Sequence, residues 1–461
     1  MSNAKTSTPP ARSASPSAQE LVHRDGRPVP AVFEMESPRF LGDEDIPFAR
    51  YTSQTFFDLE MAHMWTRTWQ WACREEHIAE VGDYYVYEIG QHSVLIVRSA
   101  TATIKGYVNS CMHRGTKFRP DSSDGAFTEI RCPFHGWTWH LDGSLKRVPY
   151  DWDAPHVADR DFSLPEVSVD CWGGFVFVNL NPDASPLAEY IAPIPEHFDN
   201  FAMDDRFVEL HIEKELSCNW KAAKEAFIEN YHTQETHPQL LLGSDDEGTQ
   251  YDVFNDRVSR FFCAFGVASP SIDPPPSEQE LVDMMLVGDR SVLGDDLQVG
   301  AGETARIVMA RVLRRTLEET YGSDLSHYSD TEMIDVSQYG LFPNMILFPQ
   351  LSLPMVYRFR PIDNDLSRTL FELLILRPTP DTGPRPEPAP PVRLNEQQSF
   401  TTVPGFDQNL GVVYDQDTGN LKAQQEGFFA ARKPGQTLLN YQEVRVRLLH
   451  QTLDRYLANA E

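Results

Sequence analysis

The spacing of apolar positions changes character along the chain. Between residues 82 and 178, short β-rich runs at 84–89, 93–97, 105–109 and 174–178 alternate with turn signals such as Asp142-Gly143, the pattern of a small all-β unit. After Pro182 the apolar residues of 214–231, 278–286 and 304–321 recur at helical spacing, with a strand-like run at 258–267 between the first two. The runs 341–348, 354–361 and 368–377 read as consecutive strands, and 424–458 reads as one or two closing helices. Strands and helices in separate blocks predict an α+β second half. The Pro-rich stretch 378–391 reads as a surface excursion, and 1–18, rich in Ser, Pro and Ala, as a mobile tail. The predicted order is therefore a tail (1–18), a segment without a clear pattern (19–80), a β-rich domain (81–182) and a larger α+β domain (183–461).

Length and charge narrow the function classes. A chain of 461 residues is expected to form about two or three domains and can bury a sizeable core without disulfides. Lys and Arg number 40 against 68 Asp and Glu, a net charge of −28, which opposes binding to nucleic acid or anionic membranes. The six cysteines are too sparse for a disulfide framework, which points to a reducing compartment. No apolar run reaches the roughly 18 residues of a membrane span, and the first 20 residues lack a signal-peptide core, so a cytoplasmic location is expected.

Two groups of residues carry chemistry. In the first, Cys111-Met112-His113-Arg114-Gly115 is followed by Cys132-Pro133-Phe134-His135-Gly136-Trp137, so each limb offers one thiolate and one imidazole. Two Cys and two His suit tetrahedral zinc, or a two-iron cluster in which one iron takes both thiolates and the other both imidazoles. A zinc finger places its histidines together on a helix. Here each limb mixes the two ligand types in a tight Gly/Pro-containing loop, which suits the iron cluster. In the second group, a helical run leads to His232 and then to His237-Pro238. Five residues at about 100° each would leave the two imidazoles roughly 140° apart on an unbroken helix, so they can share a metal only if the helix ends between them, as Pro238 favours. Two histidines plus one carboxylate from elsewhere would form a facial triad with open positions for oxygen and solvent.

Both groups resemble signatures of one family. The pair C-M-H-R-G and C-P-F-H-G-W is similar to the Rieske centre of the ring-hydroxylating oxygenase α subunits, with a slightly long connection at Asp121-Ser122-Ser123-Asp124-Gly125. N-W-K at 219–221, followed by E-x-F-x-E-x-Y-H-x-x-x-x-H-P at 225–238, resembles the catalytic domain of the same family. The resemblance implies a β-rich Rieske [2Fe-2S] domain and a helix-grip α+β catalytic domain with an antiparallel sheet, the latter including the 19–80 segment. It implies Cys111, His113, Cys132 and His135 as cluster ligands, and His232, His237 and a distant aspartate as ligands of a mononuclear Fe(II). Register against Gln425-Glu426-Gly427 puts that aspartate at Asp417, with Asp415 the runner-up; read without the family, both are ordinary loop acids. Glu229, three residues before His232, stands where the family carries a carboxylate that bridges a cluster histidine of a neighbouring subunit to an iron histidine. Many members have aspartate there, and glutamate occurs in a branch much of which oxidises substrates other than simple aromatic rings.

The expected activity is O2-dependent dioxygenation of a hydrophobic, aromatic or polycyclic substrate. Electrons come from a separate ferredoxin or flavin reductase, and the subunits form a head-to-tail homotrimer, with or without a β subunit. A monooxygenase or demethylase would use the same ligands, and a zinc-stapled binding protein is the alternative from another class. Residues 270–329, with a Pro274-Pro275-Pro276 breaker, an apolar helix face and Gly300 and Gly302, are expected to form either a mobile cover over the substrate or a trimer contact.

Overall fold

The computed structural model describes residues 15–120, 123–285, 297–322, 324–380 and 383–458, apart from the Met285 side chain. Most of the expected tail therefore lies outside the described residues, as do Asp121 and Ser122 of the long connection. The tail's last residues differ from the expectation: the Ser17 hydroxyl accepts from the Glu20 amide and caps the helix Ala18–Val22, whose Ala18 and Val22 pack into the core beside Phe33.

The first large unit is a seven-stranded sheet that uses the expected runs as Asp83–Ile89, His92–Ala100, Thr103–Val108 and Phe175–Asn179. Its edge strand Gln70–Arg74 lies before the boundary expected at residue 81 and pairs antiparallel with Phe175–Asn179. A small three-stranded sheet, Ile130–Arg131, Thr138–Trp139 and Leu145–Arg147, carries the second Cys/His limb.

The second unit is an eight-stranded sheet. Its order is Gln250–Val253, Val258–Cys263, Val336–Leu341, Met345–Leu347, Met355–Pro361, Thr369–Pro378, Arg206–Leu216 and Pro391–Leu394, antiparallel throughout except for the last strand. The run expected as one strand at 341–348 is split by a turn at residues 342–344. The helix expected from residue 214 is also shorter. Residues through Leu216 belong to the strand Arg206–Leu216, which pairs along its length with Thr369–Pro378, and Asn219 caps a six-residue helix, Trp220–Glu225.

Across one face of this sheet lies the helix Gln408–Ala430, whose Tyr414, Leu421 and Phe428 enter the main core with Phe359, Phe371 and Leu373. It begins 16 residues before the helix expected from residue 424. Asp407 caps it, accepting from the Leu410 amide at 2.9 Å, and burial of its apolar stripe outweighs the three glycines that make the segment read as a loop. The closing helix is Val444–Ala458.

Buried ion pairs join the parts. Arg358 pairs with Glu372 at 2.5 Å and donates to the carbonyls of Trp71 and Ala72, which clamps the catalytic sheet onto the edge strand of the first unit. Burial alone would raise the Glu372 carboxyl, but Arg358 and Arg360 hold it well below its usual range. In the N-W-K segment, Asn219 donates to the Leu366 carbonyl, while Trp220 and Lys221 both donate to buried Glu60 of the N-terminal region. Lys221 and Glu60 are both fully buried and lie 2.6 Å apart. Among the described residues, no helix is long and apolar enough to cross a membrane.

Candidate functional site

The two Cys/His limbs fold as near copies. Cys111 N–H donates to Thr116 O at 2.9 Å and Gly115 N–H to Cys111 O at 2.9 Å; Cys132 N–H donates to Trp137 O at 2.9 Å and Gly136 N–H to Cys132 O at 3.1 Å. Gly115 and Gly136 sit at φ +77° and +72°, in the left-handed region that closes each turn and favours glycine. Both cysteines are buried, while His113 and His135 are exposed, their rings 4.8 Å apart. His113 stacks on Trp137, and His135 packs against Phe134. No disulfide joins the sulfurs. Two inward thiols and two outward imidazoles on paired loops form a donor set that fits an asymmetric two-iron cluster, its sulfur-bound iron inside and its imidazole-bound iron at the surface.

The second centre assembles from segments far apart in sequence. The helix Trp220–Glu225 ends well before His232, and the two histidines flank the four-residue helix Thr233–Thr236. His237 terminates that helix with φ −128° and ψ 52°, outside the helical region, in front of Pro238. Both Nε2 atoms approach one Asp417 oxygen, at 3.3 Å from His232 and 2.6 Å from His237. Ligand atoms of the three side chains lie within 4.8 Å of one another. Each Nδ1 faces outward to an acceptor, His232 to Glu229 at 2.6 Å and His237 to Gln416 at 2.9 Å. Those bonds orient the rings and turn both Nε2 atoms toward the shared space, the arrangement of metal-binding histidines with outer partners. Burial alone would lower the His232 pKa, but hydrogen bonds to Asp417 and Glu229 outweigh it and raise it to about 10. A metal ion entering here has to displace that proton.

Asp415 points elsewhere. Two helical positions are about 200° of rotation, and its carboxylate instead accepts from Ser399 Oγ and the Phe400 amide, 3.7 Å from Lys214. Gln416, which orients His237, carries no motif and was not legible in the sequence. Neither was the buried set in which Tyr51 and His450 both reach Glu225 Oε1, at 2.7 and 2.8 Å.

His232, Asp417 and Glu229 form a partition between two cavities. On one side, about 180 Å³ is lined by acids including Glu225, Glu229 and Glu443. Burial, with the charges of Glu229 and Glu225, pushes the Glu443 carboxyl up to about 7. On the other side, about 160 Å³ is walled by Phe227, Phe261, Phe265, Phe348, Tyr357 and Tyr414. Among the described residues no Lys or Arg lines this apolar chamber, and none of the described residues of 270–329 does either. Arg306, in the helix Ala305–Tyr321, is tied to Asp335 at 2.6 Å. Ala305, Val308 and Val312 of that helix pack against Leu281 and Val282; residues 286–296 and 323 lie outside the described residues.

Residues 203–459 match the ring hydroxylating alpha subunit (catalytic domain) family, and residues 68–157 match the Rieske [2Fe-2S] domain. The chain belongs to the ring-hydroxylating α-subunit family. Its Rieske domain is the type that carries a [2Fe-2S] cluster, and its catalytic domain is the type that binds mononuclear iron in these oxygenases. The chain is 26% identical over 196 residues to the glycine betaine monooxygenase oxygenase subunit of Pseudomonas aeruginosa, covering 42% of this chain and 45% of that protein. It is 32% identical over 196 residues to the benzene 1,2-dioxygenase α subunit of Pseudomonas putida, covering 40% and 42%. The chain thus spans about half the length of the curated relatives it matches. A naphthalene 1,2-dioxygenase variant bound to phenanthrene shares the fold, with TM-score 0.62 and 16% identity over 91% of this chain and 94% of that one.

Proposed function

We propose that the chain is the oxygenase component of a multicomponent Rieske system and hydroxylates a hydrophobic, aromatic or polycyclic substrate. In this reading Cys111, His113, Cys132 and His135 hold the cluster, and His232, His237 and Asp417 hold Fe(II). When bound, the cluster supplies single electrons and the iron supplies oxygen activation. The aromatic wall binds the substrate and excludes water, while Glu229 and Gln416 hold the Nδ1 protons of the two histidines and so orient both rings. Electrons come from a separate ferredoxin or flavin reductase. A head-to-tail trimer would bring one subunit's exposed His113 and His135 to the acidic cavity behind the next subunit's Glu229.

The carrying observation is the chamber itself, apolar and aromatic with no cationic side chain among the described residues of its lining. Oxygen uptake matched to product, with a reconstituted redox partner and a screen spanning hydrocarbons and charged compounds, tests it. Tightest coupling with a charged substrate would count against it. A second reading, monooxygenation or demethylation of a quaternary ammonium compound, is favoured by the glycine betaine relative and by glutamate at 229. The aromatic wall suits a trimethylammonium group, but a betaine carboxylate would meet no cation there. Labelled O2 separates the two, with two labelled atoms in the product of dioxygenation and one in that of monooxygenation. Metal and acid-labile sulfide analysis excludes or reveals a zinc-stapled protein.

A further inference from the structure

The apolar chamber contains a hydrogen-bond donor that lacks a strong acceptor. Tyr357, on the strand Met355–Pro361, and Tyr414, on the helix Gln408–Ala430, bring their hydroxyls into direct contact. The Tyr414 hydroxyl also lies 3.1 Å from Met355 Sδ, and that of Tyr357 lies 3.5 Å from it. Two hydroxyls carry two protons. The mutual bond uses one, and the other faces only a thioether sulfur, a weak acceptor.

Most other polar side chains of the lining are satisfied by oxygen. Asn230 donates to Thr249 Oγ1 at 3.0 Å, Thr233 to Asn230 Oδ1 at 2.7 Å, and Gln338 to the Phe227 carbonyl at 2.7 Å. Ser244, against Cys263 Sγ at 3.2 Å, is the second hydroxyl resting on sulfur. Position separates the two. Tyr414 precedes Asp417 by three residues on one helix, so the side chains lie within about 60° of each other and about 4.5 Å apart along the axis. A group held by the tyrosines is therefore held beside the iron-site carboxylate.

We propose that the Tyr357–Tyr414 pair is a specificity-determining donor for one uncharged substrate oxygen, so that the substrate is a hydrophobic body bearing a single carbonyl, ether or hydroxyl oxygen. This rests on the hydrophobic-substrate reading above and makes it more specific. The substrate oxygen displaces Met355 Sδ as acceptor, and no charge need be buried.

Two matched probes test it, tetralin and 1-tetralone, which share a bicyclic skeleton and differ by one carbonyl. Their dissociation constants are measured by calorimetry on the iron-loaded protein, with Rieske absorbance as a check on folding. The ketone is expected to bind about two- to twelvefold more tightly than the hydrocarbon, the range of one net neutral hydrogen bond. Either single Phe variant leaves one hydroxyl with an unspent proton, so the ratio should collapse in the Tyr357→Phe/Tyr414→Phe double variant and persist in Ser244→Ala. Equal binding of the two probes, survival of the preference in the double variant, or its loss in Ser244→Ala instead, overturns the donor assignment while leaving the hydrophobic reading standing. If neither probe binds, the hydrophobic reading itself fails and the donor assignment falls with it.

Discussion

Removing Asp415 and Asp417 one at a time should give opposite phenotypes, although the two acids are two residues apart. Asp417 is 8% exposed and within 2.6 and 3.3 Å of the two histidine Nε2 atoms, so Asp417→Ala removes one of the three donors of the proposed iron site. Loss of a mere outer partner costs about 10–100-fold in metal affinity, and loss of a direct donor should cost more. The expected protein keeps its Rieske spectrum but binds less than a stoichiometric second iron and does not turn over. Asp415→Ala instead removes the acceptor for Ser399 and the Phe400 amide and leaves Lys214, 4% exposed, with the Gln398 carbonyl as its remaining acceptor. Losing those bonds should cost about 1–3 kcal/mol of stability in the catalytic domain, with iron and turnover kept. Iron per chain by metal analysis, the visible spectrum and a urea melt read all three quantities on the same samples. Full iron and turnover in Asp417→Ala, or iron loss in Asp415→Ala without a stability change, would refute the helical register argued here.

Cys132→Ser should yield protein without the visible cluster spectrum, and wild-type protein that contains zinc but no acid-labile sulfide would contradict the two-iron assignment. Glu229→Gln preserves shape and removes charge from the carboxylate 2.6 Å from His232 Nδ1, so both metals should remain while cluster-to-iron transfer slows about tenfold or more in single-turnover mixing. An unchanged rate would make Glu229 an ordinary loop acid. The proton on His232 stays bound below its raised pKa of about 10 and must leave when iron binds, so Fe(II) affinity should rise by about tenfold per pH unit between pH 7 and 8.5. A flat dependence across that interval would show that no proton is displaced.

The sequence by itself determined the parts whose structure is local. Each Cys/His limb closes through hydrogen bonds spanning at most five residues, with glycine at the one backbone position that requires positive φ, so residue type and spacing specify the whole loop. About half of the strands of the two sheets were legible for a similar reason, since alternation and turn residues act over a few positions. What lay beyond the sequence is what packing over long separations decides. Asp417 meets His237 across 180 residues; the family register put it ahead of Asp415, but only the helix Gln408–Ala430 lying on the sheet gives a physical reason for the choice. That helix was itself misread at its start because its glycines and acids argue locally for a loop, while its apolar stripe is rewarded only by burial in the core. The same holds for Gln416 behind His237 and for the meeting of Tyr357 with Tyr414. Each is an ordinary polar or aromatic residue until a strand and a helix distant in sequence place it against its partner, because contact energies act through space while motifs are read along the chain.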